Sequence, residues 1–272
     1  MWGPLKNIIF AVFLILVSVN AVHAETLILA STTSTQNSGL FDYILPTIEK
    51  ETGVRVHVVA VGTGAAIKLA RNGDADVLMV HHKPSEEKFV SDGYGVERYD
   101  LMYNDFVLLG PQSDPAEIAG LNDLATVLQK IASTKSIFVS RGDDSGTHKR
   151  EVELWKIAGV SAVANSGSWY LESGSGMGAT LNTAVAMQGY VLADRATWLS
   201  FQNKQNMAIL FEGDKRLFNQ YGIVMVNPDR YPHVKSSAAH KLIHWLLSAK
   251  GQVKISSFNI GGEQLFTPNA LP

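Results

Sequence analysis

Short apolar runs alternate along this chain with segments whose apolar residues recur every three or four positions. The runs Thr26–Ala30, Val54–Val61, Asp76–Val80, Phe106–Gly110, Ser136–Ser140, Trp169–Leu171, Tyr190–Ala193, Ala208–Phe211 and Ile223–Val226 read as strands. Between them, Leu40, Ile44 and Ile48 mark one helical face, and Pro46 is expected to split that segment into two shorter helices. Ala65–Arg71, Lys149–Ala158, Ala179–Met187 and Ala238–Ala249 read as further helices, stopped near Gly73, Gly159, Gly189 and Gly251. Strand and helix in alternation predict an α/β fold with mostly parallel sheets. No long linker, repeat or low-complexity tract is visible, so two lobes would be joined by crossing strands, with 25–109 and 218–272 in lobe I and 110–217 in lobe II.

The first residues follow a different pattern. Lys6 precedes an apolar run from Ile8 to Val19, and small residues at Ala21–Ala24 follow, which reads as a secretory signal peptide at 1–24 cleaved after Ala24. The run is too short for a stable membrane anchor. Glu25–Pro272 then retains 22 basic and 25 acidic side chains, so a nucleic-acid partner is not expected. The absence of cysteine excludes disulfide staples and lipidation on an N-terminal cysteine, and a chain of this length buries enough surface without them. Periplasmic localisation, a monomer and no cofactor are the expectations.

Three places join a β-run to a Ser/Thr/Gly turn that opens a helix: LILASTTSTQ at 27–36, VVAVGTGAAIKLA at 58–70 and IFVSRGDDSGTHKRE at 137–151. The first N–H groups of a helix lack intrahelical acceptors and carry partial positive charge, so an oxyanion complements them. Hydroxyls add rotatable donors, and glycines admit the ligand to the backbone. The candidate ligand residues are Ser31, Thr32, Thr33 and Ser34; Thr63 and Gly64; and Arg141, Ser145, Gly146 and Thr147. SGSGMGATLN at 173–182 adds Met177 and Gly178 as backbone donors. Each turn read alone is also an ordinary helix cap, and Arg141 has Asp143 and Asp144 as nearby salt-bridge partners.

Other readings are weaker. GDDSGT resembles the serine neighbourhood of chymotrypsin-like proteases, with His57, His81 and His82 upstream, but the extra aspartate and the lack of cysteines argue against a hydrolase. RGD at Arg141–Asp143 would serve adhesion only on an exposed loop. His81 and His82 would point to opposite faces of a strand, a poor metal site, and neither common nucleotide-binding glycine motif occurs.

The blocks ASTTSTQNSGLFDYILP, VAVGTGAAIKLARNGDADVLMVH, EKFVSDGYGVERYDLMYNDFVLLGP, FVSRGDDSGTHKRE, SGSGMGATLNTA and LADRATWL, from Ala30 to Leu199, together resemble the periplasmic tungstate-binding components of tungstate ABC importers. The resemblance implies the two-lobed periplasmic-binding-protein fold and a non-enzymatic role, in which tungstate, or molybdate, is held between the lobes and delivered to a membrane permease. The family's Thr-Thr-Thr-Ser run falls on Ser31–Ser34, with serine in place of the first threonine, and its arginine falls on Arg141. The last block also resembles that of phosphate-binding proteins. Asp143 discriminates: facing the ligand it would accept the proton of phosphate, and turned toward Arg141 it would leave room for a fully deprotonated anion.

Overall fold

The computed structural model describes residues 25–270, so the expected signal peptide lies outside the described residues. In chain order the elements are β1 (Glu25–Thr32), α1 (Thr33–Asn37), α2 (Leu40–Thr52), β2 (Val54–Val61), α3 (Thr63–Asn72), β3 (Val77–Val80), α4 (Lys83–Ser91), β4 (Gly95–Pro111), α5 (Leu124–Ser133), β5 (Phe138–Ser140), α6 (Gly146–Ile157), β6 (Tyr170–Glu172), α7 (Met177–Met187), β7 (Val191–Asp194), α8 (Arg195–Ser200), β8 (Met207–Phe211), β9 (Phe218–Val226), α9 (Ser236–Leu247), α10 (Ala249–Ser256), β10 (Asn259–Ile260), β11 (Glu263–Gln264) and β12 (Thr267–Pro268).

The α/β architecture agrees with the sequence, and the sheets are mixed rather than mostly parallel. β1 pairs in parallel with β2 and β3, and β5 with β6. β9 runs antiparallel to β3 and β4, and β4 antiparallel to β7 and β8. The antiparallel pairs arise where the chain crosses between the two halves and returns. β4 also changes partner abruptly, with Asp105 opposite Phe218 of β9 and Phe106 opposite Asp194 of β7.

Alternation along the strands sends successive residues to opposite sheet faces. Leu27, Leu29, Val77, Met79, Ile223 and Met225 pack with α2 and α9 on one face, while Ala30, Leu78, Val80, Val224 and Val226 pack with α3 and Phe89 of α4 on the other. β4 repeats the division further along. Phe106 and Leu108 join α5 and α6 around Trp155, whereas Val107 and Leu109 join α7 and Trp198. The core therefore comprises four layers of side chains on two sheet regions.

Three local expectations change. α2 continues through Pro46 as one helix, because Leu40, Phe41, Ile44 and Ile48 are all buried on one face and their packing outweighs one missing backbone bond. The left-handed residue after α7 is Gln188 (φ 51°) rather than Gly189. Gly251 lies inside α10, where a Cβ would overlap the Trp245 carbonyl. Among the described residues, no helix is long and apolar enough to cross a membrane.

Candidate functional site

All the predicted turns lie at helix N-termini, and these face one another in pairs. The start of α1 faces that of α7, since a Cβ on Gly176 would lie 3.7 Å from Thr33 Oγ1. The start of α3 meets that of α6: Gly146 N donates to Thr63 Oγ1 at 2.7 Å, across 83 residues of sequence. Asp143 O approaches Gly62, and the Asp144 side chain occupies the space a Cβ on Gly64 would need.

The serine and threonine run divides by role. Ser31, on the last turnless part of β1, donates to Met79 O at 2.7 Å. Thr32 is the N-cap of α1, accepting from Thr35 N at 3.3 Å. Ser34 Oγ bonds to His81 Nε2 at 3.0 Å and lies 3.1 Å from Thr32 Oγ1. Thr33 alone has a buried hydroxyl without a protein partner.

The second jaw behaves similarly. Gly142 has φ 59°, a conformation that favours glycine, and a Cβ there would strike Glu172, so the turn after β5 depends on this residue. The turn presents Arg141, whose side chain is 2% exposed. Arg141 Nη2 donates to Asp143 Oδ2 at 2.5 Å, while Asp143 Oδ1 accepts from Ser145 N at 3.2 Å. Ser145 Oγ caps α6 by accepting from His148 N at 3.1 Å. Arg141 Nε and Thr147 Oγ1 are buried and without partners. Buried polar atoms are nearly always satisfied, so the unpartnered donors Thr33 Oγ1, Arg141 Nε and Thr147 Oγ1 make these turns the candidate place for an acceptor-rich ligand. Met177 is fully buried, and Gly178 faces Asn37 of α1.

These placements weigh against the other readings. A buried Arg141 is inaccessible to an adhesion receptor, and Ser145 is engaged with a backbone amide rather than an imidazole. Among the described residues, no group of three or more histidines and carboxylates is placed to hold a metal ion.

Sequence reasoning missed the polar cluster behind the site. Asp194, fully buried at the N-cap of α8, has its carboxyl pushed up by burial, with the Thr197 bonds and the nearby Arg141 charge opposing. Burial likewise brings the His81 imidazole down to about 4, against the raising effect of Asn219 and with Arg141 adding to the fall. α8 ties back to α1 through Thr197 Oγ1 to Ser34 O at 3.4 Å and Ser200 Oγ to Ser38 O at 3.1 Å. Polar residues within otherwise apolar strands, such as Asn104 and Asn219, were the available signal. A cleft of about 420 Å³ opens beside this cluster, lined by His82, Lys83, Arg150 and Lys215 among others, but Thr33, Arg141 and Thr147 are not in its wall.

A family model described as a PBP superfamily domain matches residues 19–250. The tungstate-binding protein TupA of Peptoclostridium acidaminophilum is 47% identical over 249 residues, covering 90% of this chain and 86% of that protein. The chain belongs to the PBP superfamily and, within it, to the TupA proteins. The tungstate-binding protein TupA of Campylobacter jejuni is 39% identical over 241 residues, covering 87% of this chain and 88% of the relative. Among solved structures, the tungstate-binding protein TupA of Desulfovibrio alaskensis G20 is 44% identical with a TM-score of 0.78, covering 91% of this chain and all of that one. That of the tungstate ABC transporter from Geobacter sulfurreducens is 48% identical with a TM-score of 0.79, covering 86% and 99%.

Proposed function

We propose that this protein is the periplasmic solute-binding component of an ABC importer, not an enzyme, and that it captures tungstate between two lobes and delivers it to a membrane permease. The observation that carries the reading is that Thr33 Oγ1, Thr147 Oγ1 and Arg141 Nε are buried donors without partners, with Arg141 and Thr147 on the turn that meets α3 through Thr63 and Gly146, and Thr33 on the turn that faces the start of α7. The names of its relatives single out tungstate among oxyanions. In this reading lobe I is built on β1–β3 and β9, lobe II on β5–β8, and β4 crosses between them where its partners change at Asp105–Phe106. The working unit is a monomer, exported and cleaved near Ala24. When the lobes meet, water leaves and each donor acts in a lower dielectric.

Asp143 supports a fully deprotonated tetrahedral anion over phosphate. Each of its oxygens is engaged, with Arg141 and with Ser145 N, which turns the carboxylate toward its own loop rather than toward a ligand's proton. Molybdate has the same charge and shape and is expected to compete. Calorimetry on the purified protein with tungstate, molybdate, sulfate and phosphate tests the reading: tungstate should bind tightest, molybdate should displace it, and phosphate should not. Phosphate binding as tight as tungstate would refute it.

A further inference from the structure

His81, the first residue after β3, lies where three parts of the fold meet. Its Nε2 is 3.0 Å from Ser34 Oγ at the start of α1, and its Nδ1 is 3.0 Å from Asn219 Oδ1 on β9. A Cβ on Gly146, at the start of α6, would come 3.2 Å from its Cε1. The ring stacks on Tyr221 at 4.9 Å and faces Phe106 at 6.3 Å.

The directions of these bonds follow from what each group has to give. Asn219 Nδ2 donates to Asn104 Oδ1 at 2.7 Å, which leaves Asn219 Oδ1 as an acceptor toward His81. The proton must then be on Nδ1, and Nε2 is an acceptor that takes the hydroxyl proton of Ser34. Ser34 therefore has no proton to give an anion, and its oxygen is left to accept from Thr32 Oγ1, 3.1 Å away. A continuous chain of bonds runs from the crossing strands through His81 to the residue that follows Thr33.

We propose that His81 is a positioning residue of the anion site: as the Nδ1–H tautomer it holds Ser34, and through Ser34 it fixes the turn that aims the Thr33 hydroxyl at the ligand. The inference rests on the reading of the site as an oxyanion trap. It also divides the Ser31–Ser34 run into one ligand donor, Thr33, and three residues that hold it in place. The charged and titratable groups around the ring are Arg141, His82 and the stacked Tyr221, and the buried ring stays neutral among them at ordinary pH.

The test is a double-mutant cycle on tungstate affinity with His81→Ala, Ser34→Ala and both together. Each single variant should lose about tenfold in affinity, as when a hydrogen-bonded supporting group is removed from behind a ligand donor. The double variant should be no weaker than the weaker single one, because the two residues act in one chain. Additive losses, or unchanged affinity in His81→Ala, would overturn the proposal. Long-range proton–nitrogen correlation NMR of the parent protein gives an independent readout, should a variant fail to fold. An unprotonated Nε2 at neutral pH is expected, and a protonated Nε2 would overturn it. A parent protein that binds no tungstate would instead refute the function itself, leaving the tautomer measurement to judge the hydrogen-bond chain alone.

Discussion

Glu151→Gln should stabilise this protein at alkaline pH and change little in acid. Glu151 is 3% exposed on α6, and its Oε1 accepts from Tyr170 OH at 2.6 Å. Among the described residues no cation pairs with it, so burial pushes its carboxyl up from 4.5 to about 7, although bonds from Tyr170, Ser140, Trp155 and the Arg141 backbone pull the other way. An acid raised on folding favours the native state fully below the unfolded pKa, and that contribution fades as pH rises through the folded pKa. At ~1.4 kcal/mol per unit, the carboxylate costs about 3 kcal/mol of stability above pH 7 relative to its neutral form. Glutamine is uncharged throughout and retains an acceptor for Tyr170 OH. Urea unfolding followed by tryptophan fluorescence at pH 5 and 8.5 should show parent and variant within about 1 kcal/mol in acid, with the variant ahead by about 1–3 kcal/mol in base. Glu86 has a similarly raised carboxyl, so only the difference between the two proteins isolates Glu151. Equal destabilisation of the variant at both pH values would refute the reasoning, since it would mean that the buried group is an ionised carboxylate whose bonds the amide cannot replace.

Arg141→Ala should weaken tungstate binding by about 2–4 kcal/mol, read by calorimetry, because it removes a desolvated charge from the site; unchanged affinity would exclude the arginine from it. Gly146→Ala places a Cβ 2.9 Å from Thr63 Oγ1 and 3.2 Å from the His81 ring, where the two turns meet. It should hold the lobes apart, with small-angle scattering of the tungstate-loaded protein remaining like that of the ligand-free form, and a normal compaction would contradict the role given to that contact.

The strand–helix alternation was legible because it depends on local periodicity: β2 occupies Val54–Val61 as read, and the three Ser/Thr/Gly turns all open helices. Pro46 misled because the local cost of a missing bond is visible in sequence, whereas the burial of Phe41 and Ile44 that offsets it is not. The antiparallel strands were hidden for a related reason, since the direction of β9 beside β3 depends on how the chain returns from the crossing. Within the site, residue types were readable and hydrogen-bond directions were not. Ser31 turns to a carbonyl 48 residues away and Ser34 to a ring 47 residues away. Four adjacent hydroxyls cannot all point at one ligand, because a strand alternates its faces and a helix then turns each successive residue by about 100°.

That geometry bears on how such a site attracts a dianion. Arg141 is the cation of the opened turn, and its partner Asp143 cancels most of its field at a distance. On the proposed reading, what remains for the ligand is Arg141 Nε and neutral hydroxyls, whose dipoles act over short range and depend on exclusion of water. In the proposed mechanism an open state would leave those donors hydrated and holding the anion weakly, and closure through the Thr63–Gly146 contact would strengthen them together. In that mechanism the difference in affinity between the two states would drive closure, and it would also allow release once a permease separates the lobes. A site with an unpaired arginine would bind in both states and give up its cargo slowly, so on this reading the Arg141–Asp143 contact would serve turnover as much as the choice of anion.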